Sequence, residues 1–268
     1  MTAFRLSASI TSATLLILCL PAAAEEASPR HGLSGSIGAV VAYLPTYAGS
    51  PNYYTTLAPD LELTYRTQHW GHIDLGGNGA PGLSWNFEQG SLWGGVLLSV
   101  DPGRKEEKPS VAGQIPGDER LRGMGTIKLR AQPGVTVGYG PVGLTYLESI
   151  GHGGHSSQFN LALMQALPLS DRFALSLSAG ATWSDRNYMQ TYFGVTPQQS
   201  VASGFAVYTP KAGLQRVDVG VGAEYKLSAT LKLKTQLGGS RLCRIAERSP
   251  IVAKPTSGVV SVGMSYVF

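Results

Sequence analysis

Residues Gly258–Phe268 read GVVSVGMSYVF. Val260, Val262, Met264, Tyr266 and Phe268 alternate with Val259, Ser261, Gly263, Ser265 and Val267. Period two puts successive side chains on opposite faces of a strand, so one face is large and apolar and the other small and partly polar. A soluble sheet turns such a face to a core, whereas a transmembrane barrel turns it to lipid. The rest of the chain must choose between them.

The pattern recurs. Phe173, Leu175, Leu177, Ala179, Ala181 and Trp183 interleave with Ser and Gly, and Val217, Val219, Val221, Ala223, Tyr225 and Leu227 interleave with Asp218, Gly220, Gly222, Glu224 and Lys226. Ile127, Leu129, Val135, Val137 and Tyr139 fall on one side of a segment that carries Lys128, Arg130, Gln132 and Thr136 on the other. Leu61, Leu63 and Tyr65 alternate with Asp60, Glu62 and Arg66, and Leu231 and Leu233 with Lys232 and Lys234. Polar outer faces also occur in sandwiches, so alternation alone leaves both readings open.

Spacing separates them. Strands are expected near 33–43, 57–66, 71–76, 82–88, 91–101, 126–139, 141–150, 156–167, 172–184, 213–227, 230–241 and 257–268. Every second connection is short (TQHW, EQGS, YGP, LPLSDR, LSAT), while the others include the long stretches after Asp101 and Ser184. An even strand count with short periplasmic turns and long extracellular loops marks an outer-membrane barrel. The expectation is a transmembrane antiparallel β-barrel of about twelve strands. Closure satisfies every backbone group in hydrocarbon, which an open sheet cannot do.

The N-terminal stretch supports that destination. Arg5, the apolar run around Leu15–Leu20 and the Ala22–Ala24 site predict a signal peptide over 1–24, with the barrel over 25–268. The apolar run is too short for a spanning helix. Cys243 is then the single cysteine outside that peptide, which excludes an intramolecular disulfide and a Cys-based metal site. A formal charge of +4 with no basic stripe argues against nucleic acid as a partner.

The inward face carries both signs: Asp60, Glu62, Arg66, Lys128, Arg130, Asp218, Glu224, Lys226, Lys232 and Lys234. These groups would line a narrow aqueous channel or pair into a plug of ion pairs. Tyr266 and Phe268 would join the aromatic girdle at the membrane interface, and the terminal Phe suits the recognition signal of the barrel-assembly machinery.

The stretch from Tyr188 to Gly220, YMQTYFGVTPQQSVASGFAVYTPKAGLQRVDVG, resembles the MipA/OmpV family of outer-membrane proteins. So do GSIGAVVAYLPTYAGS near the N-terminus, LSLSAGATWSD before the long loop and SPIV at Ser249–Val252, and the resemblance spans the mature chain. After Leu242 the family usually continues with a Gly-Asp type turn, where CRIAER stands here. The resemblance implies a non-enzymatic scaffold that brings a murein transglycosylase together with a murein synthase. Other members of the family are linked to adhesion or to antibiotic response. A small channel, an adhesin and, last, a barrel phospholipase are the alternatives.

Three constellations bear on those alternatives. His152, His155, Ser156, Ser157 and Asn160 include a Ser/His pair of the type a barrel phospholipase uses, but a nucleophilic Ser needs its base within hydrogen-bond reach. A polar turn accounts for the same residues, and no third ligand makes the histidines a metal site. Glu106, Glu107, Asp118 and Glu119 among Arg104, Lys105, Lys108, Arg120 and Arg122 read as a solvated loop able to meet lipopolysaccharide and outer-membrane lipid. Tyr188, Tyr192, Phe193 and Tyr208 would form either a partner-binding surface or a lid packed into the barrel mouth. No cofactor or catalytic residue is expected.

Overall fold

The computed structural model describes residues 31–76, 82–106, 116–151 and 154–268. The expected signal peptide, His152, Glu107 and Lys108 lie outside them. The chain forms a closed antiparallel barrel of twelve strands, each paired with its sequence neighbours. The strands are β1 (Gly32–Pro45), β2 (Tyr53–Arg66), β3 (His72–Gly76), β4 (Gly82–Gln89), β5 (Leu92–Asp101), β6 (Arg130–Tyr139), β7 (Val142–Ser149), β8 (Ser156–Pro168), β9 (Phe173–Ser184), β10 (Gly213–Lys226), β11 (Leu231–Leu242) and β12 (Thr256–Val267).

The opening stretch is the strand that closes the barrel. β12 pairs with β1 from Ser36 opposite Val267 to Tyr43 opposite Val260. Phe268 and Gly35 extend the seam, each N–H donating to the other's carbonyl at 3.0 and 3.2 Å. Val260, Val262, Met264, Tyr266 and Phe268 all face outward, with Tyr266 and Phe268 about half exposed. Their alternates Gly263 and Ser265 are buried.

The start of β1, the end of β12 and the short turns share one end of the barrel, and the long connections share the other. Outward aromatics gather at both levels. Tyr65, Tyr139, Tyr225, Tyr266 and Phe268 lie towards the short turns, while Tyr43, Phe159 and Trp183 lie towards the long loops. Along β9 the two levels are marked by Phe173 and Trp183. At about 3.3 Å per residue and a tilt of about 40°, that separation gives roughly 25 Å of apolar band, the thickness such barrels present to lipid. Among the described residues no helix is long and apolar enough to cross a membrane.

Among the described residues, helix lies in the long loops: α1 (Arg186–Phe193), α2 (Pro197–Ser203) and α3 (Arg244–Glu247), with a 3₁₀ turn at Glu119–Leu121. Asp185 caps α1 by accepting from the Tyr188 N–H at 2.7 Å. Thr196 and Gln199 form a reciprocal capping box on α2, Pro197 opens it, and Gly204 ends it with φ 79°. CRIAER supplies α3, a helical turn where the resemblance implies a Gly-Asp type turn.

β6 begins at Arg130, later than the expected strand from 126. Ile127 forms only an isolated bridge with Arg104, and Lys128 stands exposed before the strand starts. Lys128 is therefore a loop residue and not part of the lumen.

If lipid meets the outer face, Val262→Arg should cost about 2–4 kcal/mol of unfolding free energy in vesicles. A loss below about 0.5 kcal/mol in urea titration would mean that water meets that face.

Candidate functional site: a capped lumen

Since the strands turn their bulky residues outward, the buried apolar residues of this chain lie chiefly in its loops. One cluster joins Tyr188, Met189, Tyr192 and Phe193 of α1 to Leu242 and Ala246. A second joins Tyr47, Leu121, Met124, Val195 and Ile251. The α1 residues recur at positions i, i+1, i+4 and i+5, which places them on one helical face. Tyr188 and Tyr192 stack with centroids 4.5 Å apart.

That face meets inward side chains of the barrel. The Tyr192 hydroxyl donates to Asp101 at the end of β5. Asp101 also takes a 2.6 Å hydrogen bond from Arg130 Nη2 of β6, its direct register partner, and one from the Gly103 N–H. The Arg130 guanidinium lies 5.6 Å from the Tyr192 ring centroid, within cation–π range. Tyr188 and Gln158 of β8 line the same small cavity. A bulge in β10 between Leu214 and Arg216 turns both Gln215 and Arg216 inward, and Gln215 accepts from Ser184 and Gln158. Desolvation pushes the Tyr188 and Tyr192 hydroxyls well above the usual phenol range, so both stay protonated.

Of the two readings open for Tyr188, Tyr192 and Phe193, a partner-binding surface or a lid packed into the mouth, their burial matches the lid. All three are under one-tenth exposed and close over the lumen. Tyr208 is half-buried, and its hydroxyl donates to the Ile245 carbonyl at 2.6 Å. The solvated loop expected after β5 also differs. Arg104 and Asp118 are both buried, while Glu106 accepts from the N–H groups of Gly123 and Gly125, each at 2.9 Å.

Asp118 ties two distant loops together. It accepts from Thr46 Oγ1 at 2.6 Å, Ser50 Oγ at 2.7 Å and Asn52 Nδ2 at 3.1 Å, and from the Arg120 N–H. Burial alone would raise its pKa. The hydrogen bonds outweigh burial and hold the carboxyl below its ordinary range.

Below the cap the inward charges pair. Lys234 lies 2.9 Å from Glu62 and 3.5 Å from Asp60, and Ser265 donates to Asp60 at 2.7 Å. Lys232 lies 3.0 Å from Glu224, and Arg216 lies 3.5 Å from Asp218. Arg66 and Lys226 occupy inward alternates near the short turns and are half-buried. Such partly hydrated pairs contribute about 0.2–1 kcal/mol each, so they set the lumen's character more than its stability.

His155 and Ser157 do not form a nucleophile pair. Glu148 takes the Tyr146 hydroxyl at 2.6 Å and lies 3.3 Å from His155 Nδ1, so the imidazole is engaged by a carboxylate and not by the serine. Among the described residues no group of three or more His, Cys, Asp or Glu side chains could hold a metal ion.

Asp101 was within reach of the sequence, since counting in twos from Val96 and Leu98 points it inward. Arg216 was too, by the same count from Val217. Gln215 was not, because only the bulge turns it in.

The family model described as MltA-interacting protein MipA matches residues 37–268. Among solved structures, an outer-membrane channel from Pseudomonas putida F1 aligns at 12% identity and TM-score 0.46, covering 93% of this chain and 100% of that one. A loop L8 deletion mutant of OmpT, an outer membrane protein of Vibrio cholerae, aligns at 10% identity and TM-score 0.38, covering 88% and 98%. A search of curated proteins returned no significant match.

Two outcomes test the cap. Asp101→Ala leaves the Arg130 charge buried without its partner and should cost about 3–5 kcal/mol in unfolding experiments. Asp118 has a lowered folded-state pKa, so its contribution is present above the unfolded value near 3.9 and lost as pH falls through the folded value. The natural protein should therefore melt above Asp118→Asn at pH 7, and the gap should begin to close below about pH 4 and be lost as pH falls through the folded value.

Proposed function

The chain belongs to the MipA family, and from that premise we propose that it is a non-enzymatic outer-membrane scaffold that binds a murein transglycosylase of the MltA type and a murein synthase. The observation that carries this reading is the family match over residues 37–268. The structure supports it in two ways. The long-loop mouth is filled by a packed cap, which leaves the short turns and the charged lumen below as the accessible end. The His155 imidazole faces Glu148, so the Ser/His pair of a barrel phospholipase does not form.

In this reading the short turns and both chain ends face the periplasm, where murein enzymes work, and the capped loops face outward to lipopolysaccharide. Tyr266 and Phe268 serve the inner-side girdle and recognition by the barrel-assembly machinery. The signal peptide over 1–24 delivers the chain.

Binding is measured with the purified barrel in detergent, immobilised and exposed to a purified MltA-type transglycosylase and a murein synthase. Saturable retention of both is expected. Retention of neither, together with discrete conductance steps in planar bilayers, would replace the scaffold with the channel.

A further inference from the structure

A small cavity lies beneath α1 in the cap, about 20 Å³ in volume, room for roughly one atom-sized occupant. Arg104, Arg216, Gln158, Gln215, Tyr188 and Tyr192 contribute to its wall, which contains two guanidinium groups and no carboxylate. Arg104 is 4% exposed; its Nη1 donates to the Tyr192 carbonyl at 2.8 Å, and its Nε has no acceptor. Arg216 is 8% exposed, and its Nε approaches Asp218 without forming a hydrogen bond.

The neighbouring acids are committed elsewhere. Asp101 serves Arg130, Tyr192 and Gly103; Asp118 serves Thr46, Ser50 and Asn52; Glu106 serves Gly123 and Gly125. Among the described residues Arg104 pairs with no carboxylate. Burial lowers its pKa to about 10, which leaves it charged at neutral pH. The carbonyl end of α1 offsets about half a charge at most. A buried cation so placed calls for a counter-charge.

We propose that this cavity is an anion-binding site that holds a single chloride-sized ion between Arg104 and Arg216. Its volume suits a single small ion. The ion satisfies the orphaned guanidinium donors and locks α1 against β10, which makes the cap sensitive to halide. This goes beyond the scaffold reading and does not depend on any murein enzyme.

The test is heat-induced unfolding of the detergent-solubilised protein in sodium gluconate, an anion too large for the cavity, with chloride substituted at constant ionic strength. The midpoint should rise saturably by about 2–4 °C. Bromide should act alike, Arg104→Gln should abolish the rise, and Lys254→Gln on the exposed loop should keep it. A midpoint indifferent to chloride in the natural protein, or a rise undiminished in Arg104→Gln, overturns the proposal. Should Arg104→Gln fail to refold, bromide-soaked crystals of the natural protein decide. An anomalous peak between Arg104 and Arg216 supports the site, and its absence there overturns it.

Discussion

A strand in hydrocarbon can send its backbone N–H and C=O groups only to another strand, because no water is there to take them. Every other feature of this chain follows from meeting that constraint. Pairing must run through all twelve strands and return to the first, and the β1–β12 seam completes it. Once the sheet is closed, its outer face has lipid as solvent, so the bulky alternates of each strand go out. The inner face is left with Gly, Ser and charged side chains.

This inversion moves the apolar core. A soluble barrel packs its large residues inside the sheet, whereas here Met189, Phe193, Leu121 and Ile251 pack among the loops. The cap is in effect a small water-soluble core sitting on a lipid-solvated sheet. Its underside must meet the polar lumen, and the Asp101, Arg130 and Tyr192 contacts make that junction. Because the junction is buried and charged, it fixes the seating of α1 more than it adds stability, the role best attested for buried ionic groups.

The sheet was legible because its signal is local. Alternation repeats every two residues, and the short connections fall at every second interval, so strand number and face could be read without knowing any contact. The cap was only half legible. Asp185 before α1, and Thr196, Pro197 and Gln199 before α2, are helix-start signatures that local sequence does carry. What local sequence cannot carry is the partner. Thr46 and Asp118 meet across 72 residues and Tyr192 and Asp101 across 91, so a charged loop that reads as solvated becomes a tether. The Leu214/Arg216 bulge is equally silent in the pattern, and it alone brings Gln215 to the lumen.

The seam is not bonded alike at its two ends. At the mouth, the first and last long loops reach over it: the Tyr47 hydroxyl donates to the Ile251 carbonyl at 2.8 Å, and the Gly49 carbonyl accepts from Ala253 and Lys254 at 2.9 and 3.0 Å. That approach requires a residue without Cβ, since Gly49 has φ 99° and an added Cβ would fall 2.7 Å from Val252. At the opposite end, among the described residues, the ladder closes on the Gly35–Phe268 exchange. Lateral parting of the wall at the mouth must first break these Tyr47 and Gly49 contacts, so the barrel behaves as a clasp fastened at that rim.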